Sequence, residues 1–168
     1  MALFERNRRS GDEDYVTSTD AATRALSVTA VETDFVAGVY GKLASIYDYV
    51  FGPTLHAGRL QALQRMAISS GDRILEVGVG TGINLTLYPR DCQITGIDLS
   101  DSMLEKAHER VAKNDLAHVR LWQMDATSLT FPDDAFDIVY APYLVSVVPD
   151  PVAVALEMRR VCRPGGRI

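Results

Sequence analysis

The sequence has little of what marks an exported, metal-binding or membrane-spanning protein. Its 168 residues hold two cysteines. Cys92 and Cys162 stand far apart, with no C-x-x-C spacing and no histidine pair nearby, so neither a disulfide framework nor a zinc or other metal site is indicated. No apolar run approaches the ~18 to 20 residues needed to cross a bilayer. The opening MALFERNRRSGDED turns charged before a signal-peptide apolar stretch develops. A reduced, cytoplasmic setting is the expectation. Positive charge is also in deficit: 17 Lys and Arg against 22 Asp and Glu leave a formal net charge of -5. A whole-protein field that collects nucleic acid is therefore not expected, and a small molecule or a protein is the partner class left.

What is present is an ordinary globular composition, 47% hydrophobic and 23% charged, enough for one domain with a real core. Residues 1–22 are polar and aperiodic and read as a mobile arm. From Val28 to Val50 apolar residues recur at steps of three and four, which predicts helix broken near Gly38 and Gly41; the segment 23–70 reads as a helical lid on the substrate side. A second helical pattern covers 60–66. The period then changes. Strands are expected at 73–77, 93–97, 119–124 and 136–140, a helical segment around 85–87, and helices at 102–111 and 151–161, with Ser100 or Asp101 as a cap for the first of these and Pro151 opening the second. Strands alternating with helices describe an α/β parallel sheet.

The stretch ILEVGVGTG, residues 74–82, organises the rest. Gly78, Gly80 and Gly82 follow an apolar strand ending in Glu76. A strand-to-helix turn of this kind lets a ligand touch backbone at the carboxyl end of a sheet. A dinucleotide fingerprint is G-x-G-x-x-G; here the third glycine comes one residue early, which disfavours a nicotinamide cofactor without removing a nucleotide-dependent oxidoreductase from consideration. Asp98 lies 20 residues beyond Gly78 at a strand end, where a carboxylate can accept from both hydroxyls of a ribose; a capping role is the alternative. In WQMDA, Asp125 could accept from an exocyclic adenine amine while the Ala126 N–H serves a ring nitrogen. Met103 either packs on the base or belongs to the core.

These motifs, EVGVGTG, GIDLSDSML, MDA, FDIVYAPYLVSVVPD and EMRRVCRPGGRI in this order, resemble class I S-adenosylmethionine-dependent methyltransferases. The resemblance covers about residues 40–168 and implies a Rossmann-like doubly wound parallel sheet, with 71–168 as the cofactor-binding core. Within the family, YGKLASIYDYVFGPTLHAGR and APYLVSVVPDP are most similar to bacterial phosphatidylethanolamine N-methyltransferases, and more distantly to quinone-biosynthesis C-methyltransferases. It implies S-adenosylmethionine held by Tyr40, Glu76, Gly78, Gly80, Gly82, Asp98, Met103, Asp125 and Ala126. Tyr40 and Tyr143 become the candidate catalytic residues, with Tyr47 and His56 as further helpers and His108 and His118 as solvated surface groups.

A phospholipid acceptor implies peripheral contact with a membrane, at its inner face. The run 28–50 could lie in that interface, yet Glu32, Asp34 and Asp48 set against Arg24 and Lys42 are not the basic face that anionic lipid attracts. Arg6, Arg8 and Arg9 form only a small cluster. The final RPGGRI should deliver a fifth strand, so the chain reads as cut short there. On that basis the apolar strand 137–140 is expected at a sheet edge, with poor solubility or recruitment of a partner strand, or an impaired fragment, as the consequence.

Overall fold

The computed structural model describes residues 56–168. The expected arm, the run 28–50, Tyr40 and Tyr47 lie outside the described residues. Helix α1 (56–65) enters first. Five strands follow, β1 (Arg73–Val77), β2 (Gln93–Asp98), β3 (Val119–Gln123), β4 (Phe136–Tyr140) and β5 (Cys162–Arg167), with α2 (Asp101–Lys113) and α3 (Pro151–Val161) between them. All pairings are parallel, in the order β3-β2-β1-β4-β5.

Side-chain alternation along each strand builds two apolar layers. Ile74, Ile94 and Ile138 point to one face, joining Leu63 of α1 and Leu104 and Ala107 of α2. Leu75, Val77, Ile97 and Val139 point to the other, under Val154, Met158 and Val161 of α3. Near-continuous burial of β1 and β4 is what strands covered on both faces require.

Three expectations change. The helical segment after the glycines is only a 3-10 turn, Ile83–Thr86. Left-handed Gly82 precedes it and Pro89 follows, disfavouring helical backbone at Tyr88, so too few residues remain to propagate an α-helix. Ser100 takes the N-cap position of α2, one of the two expected, but its side chain caps no backbone N–H. The Ser100 N–H is instead held by Asp98 Oδ1 at 2.9 Å, and its Oγ meets Ser102 Oγ at 3.0 Å. By contrast Asp150 caps α3 through the Ala153 N–H at 2.9 Å, with Pro151 in the first turn.

The third change concerns β4, which is not at an edge. β5 pairs with it at Phe136↔Cys162 and Ile138↔Arg167. A step of two residues along β4 is matched by a step of five along β5, because the chain bulges through Gly165 at φ +75°. That bulge is how the R-P-G-G turn reaches the sheet before its last residue, and the association argument built on an uncovered β4 falls with it.

Asp137 laces the strand starts at the end away from the glycine turn. Its carboxylate accepts from the Arg73 N–H (2.8 Å), Arg73 Nε (3.2 Å) and Arg163 Nε (2.6 Å), joining β1, β4 and β5. Burial alone would push this carboxyl up, but the three donors together hold it well below the usual carboxylate range. Such a group stabilises the fold above its ordinary value and loses that contribution as pH falls through the folded one. Both arginines are well exposed, so the expected cost of Asp137→Asn at pH 7 is only about 1–2 kcal/mol. Urea denaturation at pH 7 and pH 3 checks this: the difference between the two proteins should shrink at the lower pH.

Candidate cofactor and acceptor site

The chain runs β1 to β2 to β3 toward one edge, then returns to place β4 against the other side of β1. Strand order reverses between β1 and β4, and at their carboxyl ends a crevice opens where ligands of such sheets bind. Glu76, the turn 78–82, Asp98, Asp125, Tyr140 and Tyr143 come to this end.

Glu76 shares the face of Ile74 by strand alternation, so its carboxyl is driven into the layer under α1 and is 1% exposed. Asn84 Nδ2 donates to Oε1 and the Tyr88 hydroxyl to Oε2, both at 2.7 Å. Desolvation outweighs these bonds and the attraction of Arg59, raising the carboxyl from 4.5 to about 7. Tyr140, in register with Glu76 across β1 and β4, is pushed up to about 12, first by burial and then by the Glu76 charge.

The three glycines have different reasons. All have positive φ, +72°, +56° and +76° in order. A Cβ at Gly78 would stand 2.7 Å from Leu144 Cδ1, and one at Gly82 would stand 2.7 Å from Leu85 Cδ1 and 3.2 Å from Ala107 Cβ. A Cβ at Gly80 would meet nothing within 4 Å. Close approach by a ligand is thus argued at Gly80, while its neighbours need glycine for backbone and packing. The Gly80 N–H donates to Asp98 Oδ2 at 2.8 Å. Asp98 therefore braces the turn and the start of α2 together, and each oxygen keeps a lone pair for a ribose hydroxyl. Burial pushes its carboxyl up despite these bonds.

Asp125 is exposed, and its Oδ1 accepts from the Thr127 N–H and Oγ1, both at 2.8 Å, which leaves Oδ2 for an exocyclic amine. Ala126 is half-buried beside it. Met103 is 8% exposed on α2, among the buried apolar residues. Tyr143 is 46% exposed at φ +59°, with the Arg59 guanidinium carbon 5.4 Å from its ring centre. His56 and His108 are exposed. His118 departs from expectation: it is half-buried, its Nε2 has no partner among the described residues, and burial lowers its pKa.

Sequence reasoning missed Asn84, Tyr88, Tyr140 and Arg59. Only Arg59 carried a signal, a charge one helical turn before Leu63 on the inward stripe of α1.

Comparison with known proteins identifies the family. The sequence pattern of a methyltransferase domain matches residues 75–168. The chain is 47% identical over 139 residues to a phosphatidylethanolamine N-methyltransferase of Cereibacter sphaeroides, covering 82% of this chain and 68% of that one. It is 32% identical over 149 residues to a demethylmenaquinone methyltransferase of Listeria monocytogenes, covering 84% and 63%. Among solved structures, phosphoethanolamine N-methyltransferase 2 of Haemonchus contortus in complex with S-adenosyl-L-methionine matches with a TM-score of 0.59 and 30% identity, over 66% of this chain and 26% of that one. The chain spans only about two thirds of the curated relatives it matches. It belongs to the class I S-adenosylmethionine-dependent methyltransferases, and S-adenosylmethionine is its cofactor. The oxidoreductase reading is thereby set aside.

The residues present fit that cofactor. Open space lies over Gly80, where a Cβ would intrude, and the buried carboxyl of Glu76 sits two residues before Gly78, with the unpartnered Oδ1 of Asn84 beside it.

Two predictions follow from this geometry. A carboxyl displaced to about 7 costs the ligand-free fold ~3 kcal/mol once ionised. The sign is fixed by the raised value: stability is highest near pH 4.5, falls as pH climbs to 7 and then levels. Thermal denaturation of Glu76→Gln should lose most of that slope, Asp98 retaining a smaller part of the same sign. Binding of S-adenosylhomocysteine, whose ammonium needs the ionised carboxylate, should tighten roughly tenfold from pH 6 to pH 8 in the parent and stay flat in the variant. Separately, calorimetry should find affinity abolished in Gly80→Val and reduced in Asp98→Ala by about 2–3 kcal/mol; the aspartate variant should also be less stable, because two backbone N–H groups lose their acceptor.

Proposed function

We propose that the protein transfers methyl groups to the amine of an ethanolamine head group, with phosphatidylethanolamine as acceptor. The observation that carries this reading is the 47% identity over 82% of the chain to an enzyme of that name. A C-methyltransferase acting on a quinone precursor is the second reading, favoured by the weaker likeness to demethylmenaquinone methyltransferase.

When bound, the cofactor supplies a methyl carbon on a sulfonium, already an excellent leaving group. What remains for the chain is orientation and exclusion of water, for which well-aligned positioning is worth on the order of 7 to 11 kcal/mol. Glu76 would receive the ammonium of the methionine end, and Asp98 the ribose hydroxyls. Asp125 Oδ2 and the Ala126 N–H would read the adenine edge, with Met103 against its face. No triad is required.

An ethanolamine amine is mostly protonated at neutral pH and must shed its proton before attack. Tyr143, about half exposed as a residue, would accept a hydrogen bond from the amine and pass the proton to water, Tyr40 being the second candidate. Tyr140, with its hydroxyl proton held to about 12, serves as a hydrogen-bonding partner rather than a base. Desolvation in the crevice lowers the amine's own pKa in the same direction.

A lipid acceptor calls for work at a membrane surface from the cytoplasmic side. No helix among the described residues is long and apolar enough to cross a membrane. Val145 and Val147, about half-exposed just beyond Tyr143, offer an apolar lip for peripheral contact. The test is transfer of labelled methyl from S-adenosylmethionine to phosphatidylethanolamine vesicles, run beside a reduced demethylated quinone. Label in the methylated phospholipid alone is the expected result. Label in the quinone alone would replace this reading by the second.

A further inference from the structure

The connection from β3 to β4, residues 124–135, contains no helix or strand, yet it holds Asp125 and Ala126, the two groups read as meeting the adenine edge. A stretch of this length without secondary structure is ordinarily either functional or disordered. Its first part holds itself. The Asp125 carbonyl accepts from the Ser128 N–H at 3.1 Å, and Asp125 Oδ1 accepts from Thr127. Entry to the turn is fixed where the Met124 N–H donates to the Asp98 carbonyl at 3.1 Å. A turn pinned at its entry alone can still swing about that point, so the direction of Asp125 depends on what holds the exit.

Helix α3 holds it. The main chain at Leu129 is bound through both its polar groups: the N–H donates to Glu157 Oε2 and the carbonyl accepts from Arg160 Nη2, each at 2.8 Å. Arg160 Nη1 reaches on to the Phe131 carbonyl and to Asp133 Oδ1, both at 2.8 Å. Its Nε and Nη2 bond back to Glu157 at 2.8 and 2.7 Å. All five N–H donors of a guanidinium are thereby engaged. An ion pair three residues apart on a helix surface gives little stability by itself; here the pair is turned onto the backbone of another segment. The planar fork spans two carbonyls and a carboxylate at once, which the single ammonium of a lysine cannot do. The Leu129 side chain, 6% exposed, packs in one apolar layer with Met158 of α3, and Ala126 packs against the same layer.

We infer that Arg160, oriented by Glu157, is a positioning residue for recognition of the cofactor's base. It fixes the exit of the turn 125–128 and so sets Asp125 Oδ2 and the Ala126 N–H in one geometry toward the adenine edge. Arg160 stands in the last turn of α3, at the end that leads into β5 and away from the crevice, and acts only through this loop. The role rests on the reading of Asp125 and Ala126 as the adenine contacts. Its consequence is selectivity for the base, while the amino acid end of the cofactor is held separately at β1.

Calorimetry would compare S-adenosylhomocysteine with S-inosylhomocysteine, in which the exocyclic amine is a carbonyl and the adjacent ring nitrogen bears a proton. Asp125 and the Ala126 N–H then both meet the wrong partner, and the parent should prefer the adenine ligand by about a hundredfold or more. In Arg160→Met that preference should fall roughly tenfold, because the fork that joins Leu129 and Phe131 to α3 has gone. Arg160→Lys keeps the charge beside Glu157, should show a smaller fall in the same direction, and carries the comparison if Arg160→Met does not fold. The ratio of affinities for S-adenosylhomocysteine and 5′-methylthioadenosine, which keeps the base and lacks the amino acid end, should stay as in the parent. A merely structural role lowers the folded fraction for every ligand alike and leaves the adenine preference where it was. Asp125→Ala separates the failures. A preference that survives both Arg160 variants and is lost in Asp125→Ala overturns the role of Arg160 alone. A preference absent from the parent, or surviving in Asp125→Ala as well, overturns the adenine reading together with it.

Discussion

The buried carboxyl of Glu76 is the constraint on which the site depends. Strand alternation gives its position to an inward-facing side chain, and an apolar one would cost nothing there. A carboxyl does, and its neighbours are arranged around that cost. Tyr88 and Asn84 come from the segment after the glycine turn and reach back 12 and 8 residues to hold its two oxygens. In doing so they fold that segment as a short 3-10 turn against the strand. Even so the carboxyl rests near neutrality, held between charged and uncharged forms until a cation settles it.

Asp98 plays a comparable part with the opposite economy. It stands at a strand end, partly in water, and gains two backbone N–H groups, one from the glycine turn and one from the start of α2. The turn is therefore shaped before a ligand arrives. Glu76 and Asp98 sit on adjacent strands, on either side of open space at Gly80, and define where the polar ends of a nucleoside and an amino acid can lie.

Most of the strand and helix positions were readable from the sequence because period and punctuation were strong: β1, β4 and α3 fall on the residues their patterns indicate. The misreadings have local causes. Ser100 does take the cap position, but its hydroxyl turns to Ser102 instead of a backbone N–H. The 85–87 segment has helical spacing, but Gly82 and Pro89 confine it. The edge argument for β4 supposed that a Gly-Gly turn must precede pairing, whereas β5 bulges through the turn and pairs on both sides of it. Glu76, Asp98 and the glycines were visible because strand ends announce themselves. Asn84, Tyr88 and Tyr140 were not, since their roles depend on which way a neighbouring strand turns its side chains.

The same division explains why the cofactor is read more firmly than the acceptor. The groups fitting S-adenosylmethionine stand at the ends of β1 to β3, where backbone hydrogen bonding fixes each position and a motif keeps its spacing. The other side of the crevice is built from α1, Tyr140 and the loop holding Tyr143, Val145 and Val147, joined by looser contacts: a ring beneath a guanidinium, and a tyrosine hydroxyl 3.2 Å from where Gly58 would carry a Cβ. Loops of this kind change substrate without disturbing the sheet. Arg59 lies at the seam between the two parts, its charge felt by Glu76 and its guanidinium packed on the Tyr143 ring.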